Sequence, residues 1–157
     1  MDLKQLYQDI ILEHGKSPRN LGKCEGYNYD AKGYNPLCGD KVHVFLKLDN
    51  KKKVKGLTFE GEGCAISLAS ASIMTELVKG KKLDVTKKII KAFMNMIKKT
   101  DEIKSYDLSD EQKTKIMSLS GVQQYPMRVK CATLAWHTLI SAIDEKESVA
   151  TTEINES

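Results

Sequence analysis

Three cysteines and one aspartate carry the chemistry that this sequence can perform. Cys38 and Asp40 open the stretch "YNPLCGDKVHVFLKL" (Tyr34 to Leu48), Cys64 sits in "GEGCAIS", and Cys131 follows Arg128 in "MRVKCATLAW". Thiolates and carboxylates are both metal ligands, and three sulfurs with one oxygen make a tetrahedral set that suits zinc. A thiolate is also a nucleophile, favoured by a helix N-terminus or a neighbouring cation. The spacing leaves two readings open, because no C-x-x-C knuckle is present and the cysteines lie far apart. Either the fold gathers them around a metal, or they are scattered core residues acting as small hydrophobes.

The elements that must position them can be read from periodicity. Val42, Val44, Leu46 and Leu48 alternate with His43, Phe45 and Lys47, the pattern of a half-buried strand. Extended backwards, the parity places Cys38 and Asp40 on the apolar face and His43 on the other. After the polar turn "DNKKK" the chain returns through "VKGLTFEGEG", with Leu57 and Phe59 on one face, giving an antiparallel hairpin. Cys64 follows that strand at the mouth of a helix (Ile66, Ala69, Ile73, Leu77) that Gly80 caps. Cys131 belongs to a last helix opening at Pro126, with Arg128 on the same side three residues before it.

The remaining segments complete an α+β reading. Residues 2 to 14 form an amphipathic helix using Leu3, Leu6 and Ile10, stopped by Gly15 and Pro18. Lys23 to Asn35 reads as an edge strand followed by a turn. A helix is expected over Val85 to Met96, and another near Ser109 to Leu119 with Ser109 and Gln112 as a capping box. Residues 1–143 are expected to form a single domain. The tail 144–157 lacks apolar periodicity and is expected to be flexible.

Composition limits the function. The chain has 157 residues, 41% apolar and 29% charged, with a net charge of +4. That is the balance of a soluble globular protein, without the dense basic stripe and interleaved aromatics of a nucleic-acid binder. Charges in "MDLKQLYQDIILEHG" rule out reading it as a signal peptide or a membrane span. The expected location is the cytoplasm, where cysteines stay reduced and metal binding or catalysis is favoured over disulfides. His14, His43 and His137 are each expected to be solvated or hydrogen-bonded rather than ligating, Met94, Met96 and Met117 to be core filler, and Cys24 to be an ordinary strand or loop residue.

Three motifs, in order, give a resemblance. "NPLCGD" (Asn35 to Asp40), "FEGEGCAISLASASIMTELVKGK" (Phe59 to Lys81) and "MRVKCATLAW" (Met127 to Trp136) resemble the IscU-like, NifU N-terminal-like family of iron–sulfur assembly proteins, most closely its SufU branch; "SPRNLG" (Ser17 to Gly22) resembles the family's N-terminal segment. The resemblance implies a small antiparallel three-stranded β-sheet packed against several helices. It implies a metal set of Cys38, Asp40, Cys64 and Cys131 holding zinc, with an iron–sulfur cluster at the same site as the alternative. Scaffold-type members are similar to one another in a proline-rich chaperone motif and a histidine before the third cysteine. Here Lys130 takes that place, "SGVQQYPMRVK" is not the motif, and the extra stretch around Lys99 to Gly121 looks like a SufU-type insertion.

The expected function is therefore zinc-dependent sulfur transfer. In this expectation a partner cysteine desulfurase gives persulfide sulfur to Cys38 and the sulfur passes to a downstream iron–sulfur scaffold complex, while Arg128 either stabilises the released thiolate or persulfide or forms a surface ion pair with an acidic residue. Gly39 gives the Cys38 turn the freedom to leave the metal while Asp40, Cys64 and Cys131 keep it. A cluster scaffold on the same residues is the nearest alternative, and a structural zinc adaptor is a third reading. No nucleic acid or membrane partner is expected.

Overall fold

A computed structural model describes residues 3–99 and 108–144 of the chain. Three strands, β1 (Tyr29–Asn35), β2 (Asp40–Leu48) and β3 (Val54–Glu62), form an antiparallel sheet in the order β1-β2-β3. Helix α1 (Leu3–Lys16) precedes it, and α2 (Ala65–Val78), α3 (Leu83–Lys99), α4 (Asp110–Ser118) and α5 (Val129–Ile143) follow.

Alternation decides which face of the sheet is covered. Val42, Val44 and Leu46 of β2 are buried with Leu57 and Phe59 of β3, and the helices pack on that face. Phe45 points the other way and is nonetheless buried, under Tyr27 and His43, whose ring centroids lie 5.0 and 4.0 Å from its own. Helix α2 runs through the middle of the helical layer. It is rich in alanine and serine and apolar nearly all round, as a fully buried helix must be. Its hydroxyls find partners inside: Trp136 Nε1 donates to Ser70 Oγ at 2.9 Å, and the Ser70 hydroxyl donates in turn to the Ala132 carbonyl. Trp136 also stacks on Phe93 with centroids 4.0 Å apart, joining α5 to α3.

Several expected boundaries shift for identifiable reasons. Gly15 does not stop α1; it lies in its last turn where α1 crosses the start of α2. A Cβ there would stand 3.1 Å from that of Ala65, so glycine permits the crossing. In the segment Lys23 to Asn35 the turn comes first, closed by Tyr27 N–H to the Cys24 carbonyl, and the edge strand follows it. Pro126–Arg128 form a single 3-10 turn, and α5 proper starts at Val129, so Cys131 falls in its first turn. Helix α3 extends beyond the expected Val85 to Met96 at both ends.

Other expectations hold. The capping box is complete: Gln112 N–H reaches Ser109 Oγ at 3.1 Å and Ser109 N–H reaches Gln112 Oε1 at 3.0 Å. Asp49 accepts the Lys51 and Lys53 N–H groups at 2.8 and 2.9 Å, tying the "DNKKK" turn. Gly80, with φ +89°, follows the end of α2. Met96 is buried, and Met94 and Met117 pack against the core. Residues 100–107 of the extra stretch, and all of the tail except Asp144, lie outside the described residues. Among the described residues no helix is long and apolar enough to cross a membrane.

Candidate metal centre

The site forms where three element ends meet. The β1–β2 hairpin closes on the pair Asn35 and Asp40. Between them the turn Pro36–Gly39 carries Cys38, half-buried, with the Gly39 N–H on the Asn35 carbonyl at 2.9 Å. Gly39 sits at φ +73°, a left-handed conformation that costs glycine little. Cys38 is thus in the turn, not on the strand, and strand parity does not govern its direction. For Asp40 parity is correct: it is the first residue of β2, fully buried, on the core face.

Cys64 is the N-cap of α2, and its backbone N–H donates to Asp40 Oδ1 at 2.8 Å. Gly63 makes this approach possible. A Cβ on Gly63 would lie 2.9 Å from Asp40 Cα and closer still to its carboxylate, and Gly63 has φ +147°. Cys131, buried in α5, brings its sulfur to 3.2 Å from that of Cys38. The ligand atoms of Cys38, Asp40 and Cys131 all lie within 4.8 Å of one another. Cys64 stands outside this trio but joins it through Asp40, its sulfur 3.9 Å from Oδ2.

The electrostatics follow from crowding acids together. The Cys64 thiol is pulled down to about 6, first by its interaction with Cys131 and then by the Ser67 and Ile66 N–H groups at the helix start, against burial and the Asp40 charge. Cys131 is pushed up, first by Cys64, then by burial, Cys38 and Asp40. Without a cation, then, one thiol must keep its proton so that its neighbour can lose one. Arg128 is exposed, its Nη1 3.6 Å from Cys38 Sγ, and the sulfurs of Cys131, then Cys38, hold its guanidinium more firmly protonated.

The donor set fits a tetrahedral thiophilic cation. Zinc–sulfur bonds of about 2.3 Å space the ligands of such a site by roughly 3.5–4 Å. Of the separations here, 3.9 Å falls within that range and 3.2 Å a few tenths of an ångström below it. Asp40 is fully buried with no salt bridge among the described residues, so its charge calls for a counter-charge at this point.

Two neighbours carried no warning in the sequence. Asn35 is buried, and its Nδ2 donates to Asp40 Oδ2 at 3.3 Å and to Cys131 Sγ at 3.6 Å. The signal that could have found it is the hairpin register that pairs it with Asp40. Tyr7 of α1 flanks the site; burial first, then Tyr125 and Cys64, push its phenol up to about 12.

The other candidates lie elsewhere. His43 faces outwards and pairs with Asp30 at 2.6 Å. His14 is buried with Nδ1 2.8 Å from Ser72 Oγ. His137 lines a separate cavity with Lys98. Cys24 packs over Gly56 at the opposite end of the sheet.

The chain is similar to known proteins along nearly its whole length. The chain is 39% identical over 146 residues to a Bacillus subtilis protein named zinc-dependent sulfurtransferase SufU, covering 93% of this chain and 95% of that one. It is 35% identical over 144 residues to the iron–sulfur cluster assembly scaffold protein IscU of Thermotoga maritima, covering 91% and 96%. The crystal structure of FiSufU from Fervidobacterium islandicum superposes with a TM-score of 0.76 at 32% identity, covering 88% of this chain and 97% of that chain. The family model for the NifU-like N-terminal domain matches residues 6–132, and the chain belongs to that family.

Proposed function

We propose that this protein serves iron–sulfur cluster assembly in the cytoplasm as a zinc-dependent sulfur-transfer protein. In this reading Cys38 accepts persulfide sulfur from a cysteine desulfurase and passes it towards a downstream scaffold complex. The observation that carries the proposal is the unequal mounting of the sulfurs. Cys38 is half-buried on a turn beside Arg128, whereas Cys131 is buried in α5 and Cys64, also half-buried, is the N-cap of α2 with its N–H on Asp40. A site meant only to be filled and closed has no need of a turn-borne ligand beside an exposed guanidinium.

Cys38, Asp40, Cys64 and Cys131 would hold the zinc. Bound there, zinc supplies a redox-inert positive charge that keeps the thiolates ionised. The rest belongs to the chain. The turn swings Cys38 outwards, and its thiolate attacks the terminal sulfur of the partner's persulfide. The partner's S–S bond breaks as a new one forms on Cys38, and the partner's cysteine leaves as thiolate. No net oxidation occurs. Arg128 stabilises the anionic sulfur at either stage, being always charged.

Zinc-loaded protein, the cognate desulfurase and cysteine are the ingredients of the test. Desulfurase turnover is followed while added sulfur is mapped by mass spectrometry. Accelerated turnover with persulfide on Cys38, lost when zinc is stripped or Cys38 is replaced by Ser, supports transfer. Indifference to the zinc form, with a stable cluster on the metal-free form handed to an apoprotein, would establish the scaffold role that the Thermotoga maritima relative's name describes.

A further inference from the structure

Asn35 is an awkward residue to bury. Its side chain is 2% exposed, and its carbonyl oxygen Oδ1 finds no donor on the protein. An unsatisfied buried acceptor is destabilising, and an apolar residue of similar shape would avoid that. The amide nitrogen is the reason to keep it: Nδ2 spans two of the site's groups, Asp40 Oδ2 at 3.3 Å and Cys131 Sγ at 3.6 Å.

The amide nitrogen faces Asp40 and Cys131, and Oδ1 makes no hydrogen bond. Asn35 is also the last residue of β1, paired in register with Asp40, so its backbone is held by the sheet and not by the turn.

We propose that Asn35 is the positioning residue of the metal centre. It holds Asp40 and Cys131 as a rigid pair while Cys38, three residues further along the same hairpin, comes and goes. Outer hydrogen bonds of this kind set the direction of a ligand's lone pairs, and their loss usually weakens metal binding by about 10- to 100-fold. The assignment divides the donors into a fixed half, Asp40 and Cys131 bridged by one amide, and a half without that bridge, Cys38 and Cys64. It rests on the metal-centre reading above.

The test compares wild type with Asn35→Ala and Asn35→Leu, the latter keeping a side chain of similar size. Zinc affinity is measured by competition with a chromophoric chelator. Cobalt substitution reports ligand geometry through its ligand-field and thiolate charge-transfer bands, and thermal melts of the metal-free proteins report folding. The expected result is zinc affinity lowered about 10- to 100-fold in both variants, with altered cobalt bands. The metal-free melts should be unchanged, or raised for Leu, which removes the unpaired carbonyl. Wild-type affinity and wild-type cobalt spectra in either folded variant would overturn the proposal. So would metal-free melts that fall in step with affinity, since Asn35 would then be a packing residue. Failure of the wild type itself to bind zinc or cobalt would instead defeat the metal-centre reading, and this proposal with it.

Discussion

The sulfurs of Cys38 and Cys131 lie 3.2 Å apart, although one is carried by a solvent-facing turn and the other by the buried first turn of α5. The contact joins a hairpin turn to a helix 93 residues further along the chain. The consequences can be tested residue by residue.

Arg128→Ala removes an exposed cation that stabilises no core. The variant should bind zinc with wild-type stoichiometry, while transfer of sulfur to Cys38 slows by on the order of tenfold or more. Metal content by emission spectroscopy and persulfide mapping separate the two effects. Wild-type transfer would remove Arg128 from the mechanism.

Cys64→Ser keeps the helix N-cap, since serine is a good cap, but replaces the thiolate. Because metal binding adds to folding free energy, the variant should lose zinc and melt below the zinc-loaded wild type. At a free zinc level of about 100 times Kd, the lost stabilisation is about 2.7 kcal/mol. A chelator should lower the wild-type Tm towards that of the variant and leave the variant's own Tm unmoved.

Gly63→Ala tests the close approach of β3 to Asp40. The new Cβ would stand 2.9 Å from Asp40 Cα in a backbone conformation that disfavours any side chain. Destabilisation of about 1–3 kcal/mol is expected by urea unfolding, with zinc affinity falling because the Asp40 carboxylate must shift. A neutral effect on both would show that the strand end yields freely.

His14 should give stability an acid limb. Burial first, and then the Arg19 charge, lower its pKa in the folded state, with Glu76 opposing them. The unfolded chain therefore takes up this proton more readily. The contribution is complete above the unfolded value of about 6.5 and is lost as pH falls below it towards the folded value. Urea unfolding between pH 7.5 and 5 should show the decline, and His14→Asn should flatten it. An equally steep limb in the variant would assign the acid sensitivity to other groups.

Much of this centre was legible in the sequence because residue type and period point the same way. Asp40 was placed on the core face by alternation alone, and Cys64 at a helix start by the change of period after β3. The Ser109 capping box was equally plain, since its two hydrogen bonds are local. Legibility failed where the third dimension decides. Cys38 belongs to a turn, where no period exists. Gly15 looked like a stop until its contact with Ala65 showed that α1 needs a missing Cβ there. Asn35 owes its importance to Cys131, far along the chain, and no local pattern announces such a partner.

The closing pair Asn35 and Asp40 makes the β1–β2 connection a measuring device as well as a link. Side chains along a strand alternate faces, so a slip of one residue in β2 would turn Asp40 to solvent and Lys41 into the core. Turn length, strand register and ligand geometry are thus one quantity. The four residues Pro36 to Gly39 are held to that number by the chemistry at their base, even though a surface turn would ordinarily be the easiest place in the molecule to add or lose a residue.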